Sequence, residues 1–298
     1  MVELSVVICT YNRAKWIGEA LKSCVNQSLD VGRYEVLVIN NNCTDGTTAL
    51  VDAFIAEHPN TQFRQIIETN QGLSFARNKG IDEARSELIT YIDDDAIADF
   101  ELFERILDHF QNHSNVVGLA GKVIPKFEGT APKWLNPYLN MMVTLIDYGS
   151  QSFRCEGKKY PPGCNMSYRK GVLKQVGGFN NALKWRVDDK YIFREVEKVS
   201  KEIYFLPTLM VQHNIDEERT SDANFDNLSL KLGHEERIRV KAESKLKYIL
   251  KIGEYKAKWL ASIALGSWFA INGEWIKGRY IIRFRWKALL GLLNFQHY

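Results

Sequence analysis

The chain has 298 residues, of which 45% are hydrophobic and 25% are charged, and its net charge is +3. This composition is ordinary for a folded soluble protein and excludes a disordered chain. The length is sufficient for one α/β domain with an appendage or for two domains.

The charge is distributed unevenly along the chain. Residues 237–298 contain 13 lysines and arginines against three glutamates, a balance of +10, so residues 1–236 carry −7. The sequence therefore combines an acidic body with a basic tail. We predict a main domain at residues 1–230, with an irregular, proline-containing insertion at about 125–162, and a basic helical region at 231–298.

The five cysteines show no CxxC or other metal-binding spacing, so we expect reduced thiols in a cytosolic setting. The first residues lack a basic, cleavable apolar leader. The longest uncharged run of the tail, residues 259–273, has 15 residues, whereas a membrane span needs about 20. We therefore expect a cytoplasmic protein without a signal peptide or a transmembrane helix.

Apolar runs alternate with amphipathic, helix-length stretches in the first half of the chain. The apolar runs predict strands at 4–9, 34–39, 63–68, 87–92 and 116–121. The stretches between them predict helices at 15–27, 47–58, 73–85 and 100–113. This rhythm predicts an α/β fold with a Rossmann-like, mostly parallel sheet flanked by helices.

Polar segments follow four of the predicted strands, at residues 10–16, 40–47, 69–78 and 93–96. Parallel sheets bind ligands in the crevice beyond the carboxyl ends of their strands. We therefore expect these four segments to converge on one crevice and to contain the functional site.

Three consecutive aspartates, Asp93, Asp94 and Asp95, follow the fourth predicted strand. Three adjacent carboxylates do not all ionise cheaply in a crevice without a cation. Asp93 and Asp95 point the same way in an extended segment, and their hard oxygen atoms suit Mn²⁺ or Mg²⁺. The alternative is a set of acids that cap the next helix, but one cap needs only one aspartate. The sequence therefore predicts a divalent metal site.

Several motifs occur in a characteristic order: VVICTYNR, VINNNCTDGT, NQGLSFARNKG, YIDDDA, GCNMSYRKGVL with VGGFNN, and VDDKYIFREV. Together, over about residues 3–215, the chain resembles the family 2 glycosyltransferases, which have a GT-A fold and use nucleotide-diphosphate sugars. The resemblance implies a GT-A catalytic domain at 1–230, followed by a C-terminal helical extension. It also implies a transferase of the EC 2.4 class.

The resemblance implies a set of donor-binding residues in the four polar segments. These are Thr10, Tyr11, Asn12, Arg13, Asn40, Asn42, Asp45, Gly72, Arg77, Asn78, Asp93 and Asp94. Asn40 stands where the family usually has an aspartate that accepts from uracil, and an asparagine still accepts through its carbonyl. A UDP-sugar is therefore favoured, although a plain Asx-rich turn is the alternative at this segment.

The resemblance also implies the groups that carry the reaction. Asp189 matches the base that takes the proton of the acceptor hydroxyl, and Asp188 stands where the family usually has glutamate. An acidic helix start is the alternative for this pair. The implied metal ligands are Asp93, Asp95 and His213 for Mn²⁺ or Mg²⁺, but a lone histidine is as often structural.

Three aromatic residues are candidates for acceptor binding, because aromatic rings stack on the C–H faces of sugars. They are Trp134, Tyr138 and Trp185. Ordinary packing of the insertion is the alternative for Trp134 and Tyr138.

The predicted function is metal-dependent, inverting transfer of a sugar to a hydroxyl of a glycan or lipid-linked glycan, as in polysaccharide biosynthesis. A sugar nucleotidyltransferase and a non-catalytic sugar-nucleotide binder are the alternatives. The basic tail predicts contact with an anionic membrane surface, which gives a peripheral location on the cytoplasmic face. A helical subdomain or an oligomer contact is the alternative for the tail, and no nucleic-acid partner is expected.

Overall fold

The predicted alternation of strands and helices is present in the N-terminal part of the chain. The structure is a computed structural model that describes residues 1–182 and 188–294. Its strands are β1 (Leu4–Thr10), β2 (Tyr34–Asn40), β3 (Phe63–Ile67), β4 (Leu88–Asp93), β5 (Ala96–Ala98), β6 (Gly118–Phe127), β7 (Phe153–Arg154), β8 (Met166–Arg169) and β9 (Ile203–Ile215). Its helices are α1 (Ile17–Val25), α2 (Thr47–Glu57), α3 (Leu73–Glu83), α4 (Leu102–Asn112), α5 (Lys170–Gln175), α6 (Asp188–Val199), α7 (Glu217–Thr220), α8 (Asp222–Glu243), α9 (Lys245–Ile271) and α10 (Trp275–Leu293), with a 3₁₀ helix at Asn140–Val143.

The chain divides into two compact units. The sheet unit contains Met1–Pro125 and Ile146–Asn214, and the helical unit contains Lys126–Leu145 and Ile215–Tyr298. The irregular insertion that the sequence indicates is therefore divided between the units, because its first part clusters with the C-terminal helices.

The sheet is mixed, with strand order β3-β2-β1-β4-β8-β6-β9-β5 and β7 beside β9. Strand β1 pairs in parallel with β2 and β4, and β2 pairs in parallel with β3. Strand β8 lies antiparallel to both β4 and β6, so β6 runs in the same direction as β4. The first four strands therefore end at one edge, as predicted, and the antiparallel pairs involve β8 and β9.

Both faces of the sheet are covered by apolar side chains. Side chains alternate along a strand, and in β1 Val6 and Ile8 join a cluster with Phe103, whereas Val7 joins a cluster with Met166. All five side chains are fully buried. Burial of one such side chain contributes about 1.5–3 kcal/mol, so β1 is a rigid support for the loop that follows it.

The helical unit is built on tight contacts between α8 and α10. A Cβ atom at Gly233 would lie 1.9 Å from the backbone oxygen of Ala288, and one at Gly291 would lie 2.0 Å from that of Leu230. The absence of a side chain at both positions lets the two helix backbones touch. Within residues 1–182 and 188–294, none of the helices combines the length and the hydrophobicity that a transmembrane span requires.

Candidate active site

Strands β4 and β5 place two aspartates beside His213. Asp93 ends β4, and the backbone N–H of Asn214 donates to the backbone oxygen of Asp95 at 2.8 Å. Strand β5 pairs antiparallel with β9, and Ala96 lies opposite His213. This register brings His213 Nε2 to 3.2 Å from Asp95 Oδ1.

Asp93, Asp95 and His213 could hold a metal ion. Their ligand atoms lie within 4.8 Å of one another. His213 Nδ1 lies 3.2 Å from the backbone oxygen of Asn214, and a proton on Nδ1 would make Nε2, which faces Asp95, the nitrogen that coordinates a metal ion. Two carboxylate oxygens and one imidazole nitrogen are a donor set that fits Mn²⁺ and also accommodates Mg²⁺.

The electrostatics of this cluster also fit a cation. Burial raises the pKa of Asp93, and burial together with the charge of Asp95 raises the pKa of Asp94 to about 8. Raised pKa values of carboxyl groups mean that the protein environment alone does not fully stabilise the carboxylates as anions. Arg13 is a cationic partner of two of these aspartates, because its guanidinium lies 3.6 Å from Asp94 and 3.7 Å from Asp95.

Arg13 belongs to the loop after β1, which is joined to the loop after β2. The side-chain oxygen of Asn12 accepts from the backbone N–H of Thr44 at 2.8 Å. Asp45 accepts from the backbone N–H groups of Thr47 at 3.0 Å and Ala14 at 3.3 Å. Asn12 and Asp45, which are predicted to bind the sugar donor, therefore shape the crevice by holding its two loops together.

Two residues of these loops that are predicted to bind the sugar donor are exposed. Asn42 has φ 71°, a left-handed conformation that asparagine tolerates better than most residues. The Tyr11 side chain is 48% exposed and is available to a ligand. Thr10, by contrast, is buried at the end of β1.

The hydrogen-bonding groups of Asn40 are largely used within the protein. Its amide donates to Thr48 Oγ1 at 2.8 Å and to Gln65 Oε1 at 3.1 Å, and its carbonyl accepts from the backbone N–H of Cys43 at 2.9 Å. An asparagine side chain offers two donors and one oxygen with two lone pairs. One lone pair therefore remains for a base, and the contact with uracil stays a prediction.

The neighbouring Asn41 was not among the predicted site residues, yet it holds the loop that leads into α3. Its amide donates to the backbone oxygens of Glu68 at 3.0 Å and Asn70 at 2.7 Å, and its oxygen accepts from the N–H of Gly72 at 2.8 Å. Gly72 has φ 144°, a conformation that requires glycine. The run of three asparagines is the feature of the sequence that could have indicated this role of Asn41.

Helix α3 carries the buried Arg77, which is 3% exposed. Its guanidinium forms an ion pair with Asp188, lies 3.5 Å from Asp93 Oδ1 and donates to the backbone oxygen of Gly163 at 3.1 Å. Burial lowers the pKa of Arg77, but the charges of Asp188 and Asp93 outweigh it and raise the pKa above the ordinary value. Arg77 therefore stays charged and connects the carboxylates of β4 and α6.

Asp189 is the second carboxylate at the start of α6. Its Oδ2 accepts from the backbone N–H of Gly163 at 3.2 Å. Burial, followed by the charge of Asp188, raises the pKa of Asp189 to about 6, although Arg77 opposes the shift. A carboxylate with this pKa is ionised near neutral pH and is a better proton acceptor than an ordinary aspartate.

Gly163 was also missed as a site residue. A Cβ atom at this position would lie 2.6 Å from Arg77 Nη2, so only glycine lets the guanidinium approach the backbone. Because the carbonyl of Gly163 binds Arg77 and its N–H binds Asp189, this residue fixes both side chains. The first glycine of the motif GCNMSYRKGVL is the feature of the sequence that could have indicated this role.

Asn78 follows Arg77 on α3, but its side chain is occupied. It donates to the backbone oxygen of Phe179 at 2.8 Å and to Asn181 Oδ1 at 2.9 Å, and it accepts from the N–H of Phe179 at 2.8 Å. These bonds hold the turn at residues 178–181. Contact between Asn78 and a donor stays a prediction.

The predicted acceptor residues are placed differently from one another. Trp134 lies in the helical unit, is 4% exposed, and packs edge-on against Phe225 and in a stack with Tyr280. Little of its ring is available to a sugar, which favours the packing alternative. Tyr138 is 51% exposed in the same unit, and Trp185 lies outside the residues that the structure describes.

A model of the family described as Glycosyl transferase family 2 matches residues 5–177, more than half of the chain. The chain therefore belongs to glycosyl transferase family 2 and is a glycosyltransferase of the EC 2.4 class. This result confirms the resemblance and favours sugar transfer over the nucleotidyltransferase alternative.

Two curated relatives come from Haloferax volcanii. Its glucosyl-dolichyl phosphate glucuronosyltransferase is 23% identical over 234 residues, which cover 74% of this chain and 71% of the relative. Its glycosyltransferase AglE is 28% identical over 181 residues, which cover 60% of this chain and 57% of the relative. The chain thus spans somewhat more than half of AglE and about seven-tenths of the first relative.

A solved structure of Staphylococcus aureus TarS 1–349 has the same fold. The match covers 98% of this chain and 89% of that chain, with a TM-score of 0.57 and 16% sequence identity. Identity this low shows the fold alone. The predicted GT-A architecture with C-terminal helices is therefore confirmed.

Proposed function

We propose that the chain transfers a sugar from a nucleotide-diphosphate donor to a hydroxyl of a glycan or lipid-linked glycan, with inversion of the anomeric centre. The observation that carries the proposal is the environment of Arg77. The guanidinium pairs with Asp188 and approaches Asp93, and Gly163 binds both Arg77 and Asp189. A candidate metal-binding carboxylate and a candidate base are thereby held in one rigid arrangement.

Asp93, Asp95 and His213 are the proposed ligands of Mn²⁺ or Mg²⁺. Such an ion, when bound, offsets the charge that develops on a leaving diphosphate. Arg13, which is 45% exposed at its side chain, supplies a second positive charge. Its planar fork matches phosphate oxygens, so we assign it to the diphosphate of the donor, with a UDP-sugar favoured.

Asp189 is the proposed general base. The acceptor hydroxyl must lose its proton as it attacks the anomeric carbon, and a carboxylate with a pKa of about 6 accepts that proton at neutral pH. Asp188 does not compete for this role, because its carboxylate is engaged by Arg77. A base on the face opposite the leaving diphosphate agrees with inversion.

A lipid-linked glycan is the proposed acceptor class. The name of one relative, glucosyl-dolichyl phosphate glucuronosyltransferase, supports an acceptor of this kind. Helix α9 adds an exposed apolar face, in which Leu246, Ile249, Leu250 and Leu260 are between 59% and 66% exposed. Residues spaced three or four apart share one face of a helix.

Exposed lysines accompany this apolar face of α9, at Lys245, Lys247, Lys256 and Lys258. Each near-surface lysine contributes about 1 kcal/mol to binding of an anionic membrane. We therefore propose peripheral contact between α9 and the membrane that carries the acceptor. A second copy of the chain is the alternative occupant of this face.

The experiment that tests the proposed function is a donor screen. UDP-, GDP- and dTDP-sugars are incubated with the full chain and Mn²⁺, and release of the nucleoside diphosphate is measured. We expect release from one class of donor, with UDP-sugars first. Absence of release from every donor, with or without glycan acceptors, would contradict the proposal.

A further inference from the structure

The helical unit contains a cavity of about 350 Å³ that the proposed transfer reaction does not use. This volume lies at the lower end of the range for small-molecule sites, which is about 300–1,000 Å³. The residues that line the cavity include three aromatic residues, Trp134, Trp275 and Tyr280, and two cationic residues, Lys133 and Arg279. The cavity thus combines aromatic surfaces, which suit a sugar ring, with two positive charges.

The aromatic wall of the cavity is rigid. The rings of Trp134 and Tyr280 are stacked with centroids 5.7 Å apart, and Phe225 packs edge-on against both at 5.1 Å and 4.9 Å. Trp275, at the first position of α10, is 55% exposed. A large aromatic ring exposed beside a preformed apolar wall suits the C–H face of a sugar ring.

The two cations of the cavity, Lys133 and Arg279, are exposed. Among residues 1–182 and 188–294, no carboxylate lies within 4.0 Å of the Lys133 ammonium or the Arg279 guanidinium. Other cations of α10 are paired, since Arg283 lies 2.7 Å and Lys287 lies 2.8 Å from Asp226. Two exposed cations next to aromatic rings suit an anionic ligand.

The carboxylate of Asp222, on α8, is engaged by neighbouring side chains. The carboxylate of Asp222 accepts from the Tyr280 hydroxyl and lies 3.0 Å from Arg283. These hydrogen bonds lower the pKa of Asp222, and Arg279 makes only a minor electrostatic contribution. Arg279 is exposed, and its fork geometry matches phosphate oxygens.

We propose that this cavity binds a phosphate-bearing sugar, with the ring against Trp275 and Tyr280 and the phosphate between Lys133 and Arg279. The inference extends the proposed function, because a phosphate-bearing glycan belongs to the proposed acceptor class. It concerns binding alone and assigns no part of the transfer chemistry to the cavity.

The test is direct binding of glucose 6-phosphate, glucose and inorganic phosphate to the full chain, measured by calorimetry. We expect glucose 6-phosphate to bind with a dissociation constant on the order of 1 mM or tighter, and each of the other two about tenfold more weakly. Competition by phosphatidylinositol vesicles would assign the phosphate-bearing ring to a lipid, and absence of competition would assign it to a soluble glycan.

Two variants localise the binding. Arg279→Ala should weaken glucose 6-phosphate at least about tenfold, the usual effect of losing one charge-assisted hydrogen bond. Trp275→Ala should weaken glucose 6-phosphate but leave inorganic phosphate unchanged. The matched controls are Arg285→Ala on the same helix and Trp268→Ala, an exposed tryptophan of α9 outside the cavity.

The inference is overturned if glucose 6-phosphate does not bind, or if Arg279→Ala and Trp275→Ala bind it as tightly as the wild type. The second result would place the sugar phosphate elsewhere, such as in the donor crevice. Because the readout is binding rather than turnover, failure of this inference is distinct from failure of the donor screen. Circular dichroism of each variant checks that it is folded.

Discussion

The buried guanidinium of Arg77 forms an ion pair with the carboxylate of Asp188, which lies 111 residues further along the chain. This pair connects α3, which follows the third strand, to α6, whose second residue is the candidate base. Removal of one partner from a buried pair leaves an uncompensated charge. We therefore expect the pair to be needed for the stability of the site as well as for its electrostatics.

Arg77→Ala should destabilise the protein by about 3–5 kcal/mol, because the buried Asp188 loses its partner. Equilibrium denaturation in urea measures this change. The matched control is Lys198→Ala, which removes an exposed ion pair with Glu195 and should cost about 1 kcal/mol or less. Equal, small effects of the two substitutions would show that the Arg77 pair is not needed for stability.

Asp189→Asn should reduce transfer by at least about 100-fold while donor binding is retained, because an amide does not accept the acceptor proton at neutral pH. Steady-state transfer and titration with the nucleoside diphosphate measure the two properties. Glu195→Gln, at another acidic position of α6, is the control and should transfer at the wild-type rate. Undiminished transfer by Asp189→Asn would assign the base to another residue.

The pH dependence of the reaction should report the raised pKa of Asp189. The base acts in its deprotonated form, so kcat/KM should be constant above a pKa of about 6 and fall about tenfold per pH unit below it. The fall in rate on the acid side follows because protonation removes the base. An acid limb near the ordinary aspartate pKa of about 4 would contradict the assignment.

Contact of α9 with a membrane is tested by flotation of the full chain with vesicles that contain anionic lipid. We expect the wild type to float at low salt and the variant with Ile249→Asp and Leu250→Asp to remain in the dense fraction, because buried charge opposes insertion of the apolar face. Leu50→Asp, at an exposed leucine of α2, is the control. Wild-type chain in the dense fraction, with dimers detected by light scattering, would assign the face to a second copy.

The first part of the fold was predictable because its signals are local. The apolar periodicity predicts β1 to β4 and α1 to α4, and the rule that parallel strands end at one edge places Asp93 near Asn12 and Arg13. Strand β6 extends to Phe127, six residues beyond the predicted end, and contains Pro125, where the sequence predicts that the irregular insertion begins. A proline is tolerated where its position in the ladder needs no N–H.

The contacts within the site were less predictable because they depend on residues far apart in sequence. Arg77 was expected near the donor phosphates, but its ion pair with Asp188 depends on how α3 and α6 pack. Asn40 was expected to bind a base, but three neighbours occupy most of its amide. Gly163 carries no functional group, so only its two backbone hydrogen bonds reveal its importance.

We propose that Asp93 and Asp95 hold a divalent ion that is needed for cleavage of a sugar nucleotide. The most direct measurement is Mn²⁺-dependent release of the nucleoside diphosphate by the wild type, by Asp95→Ala and by the control Asp82→Ala, which removes an exposed acid of α3. We expect EDTA to abolish release by the wild type, Asp95→Ala to lose most activity while remaining folded, and Asp82→Ala to match the wild type. Full turnover in EDTA, or by Asp95→Ala, would contradict this account.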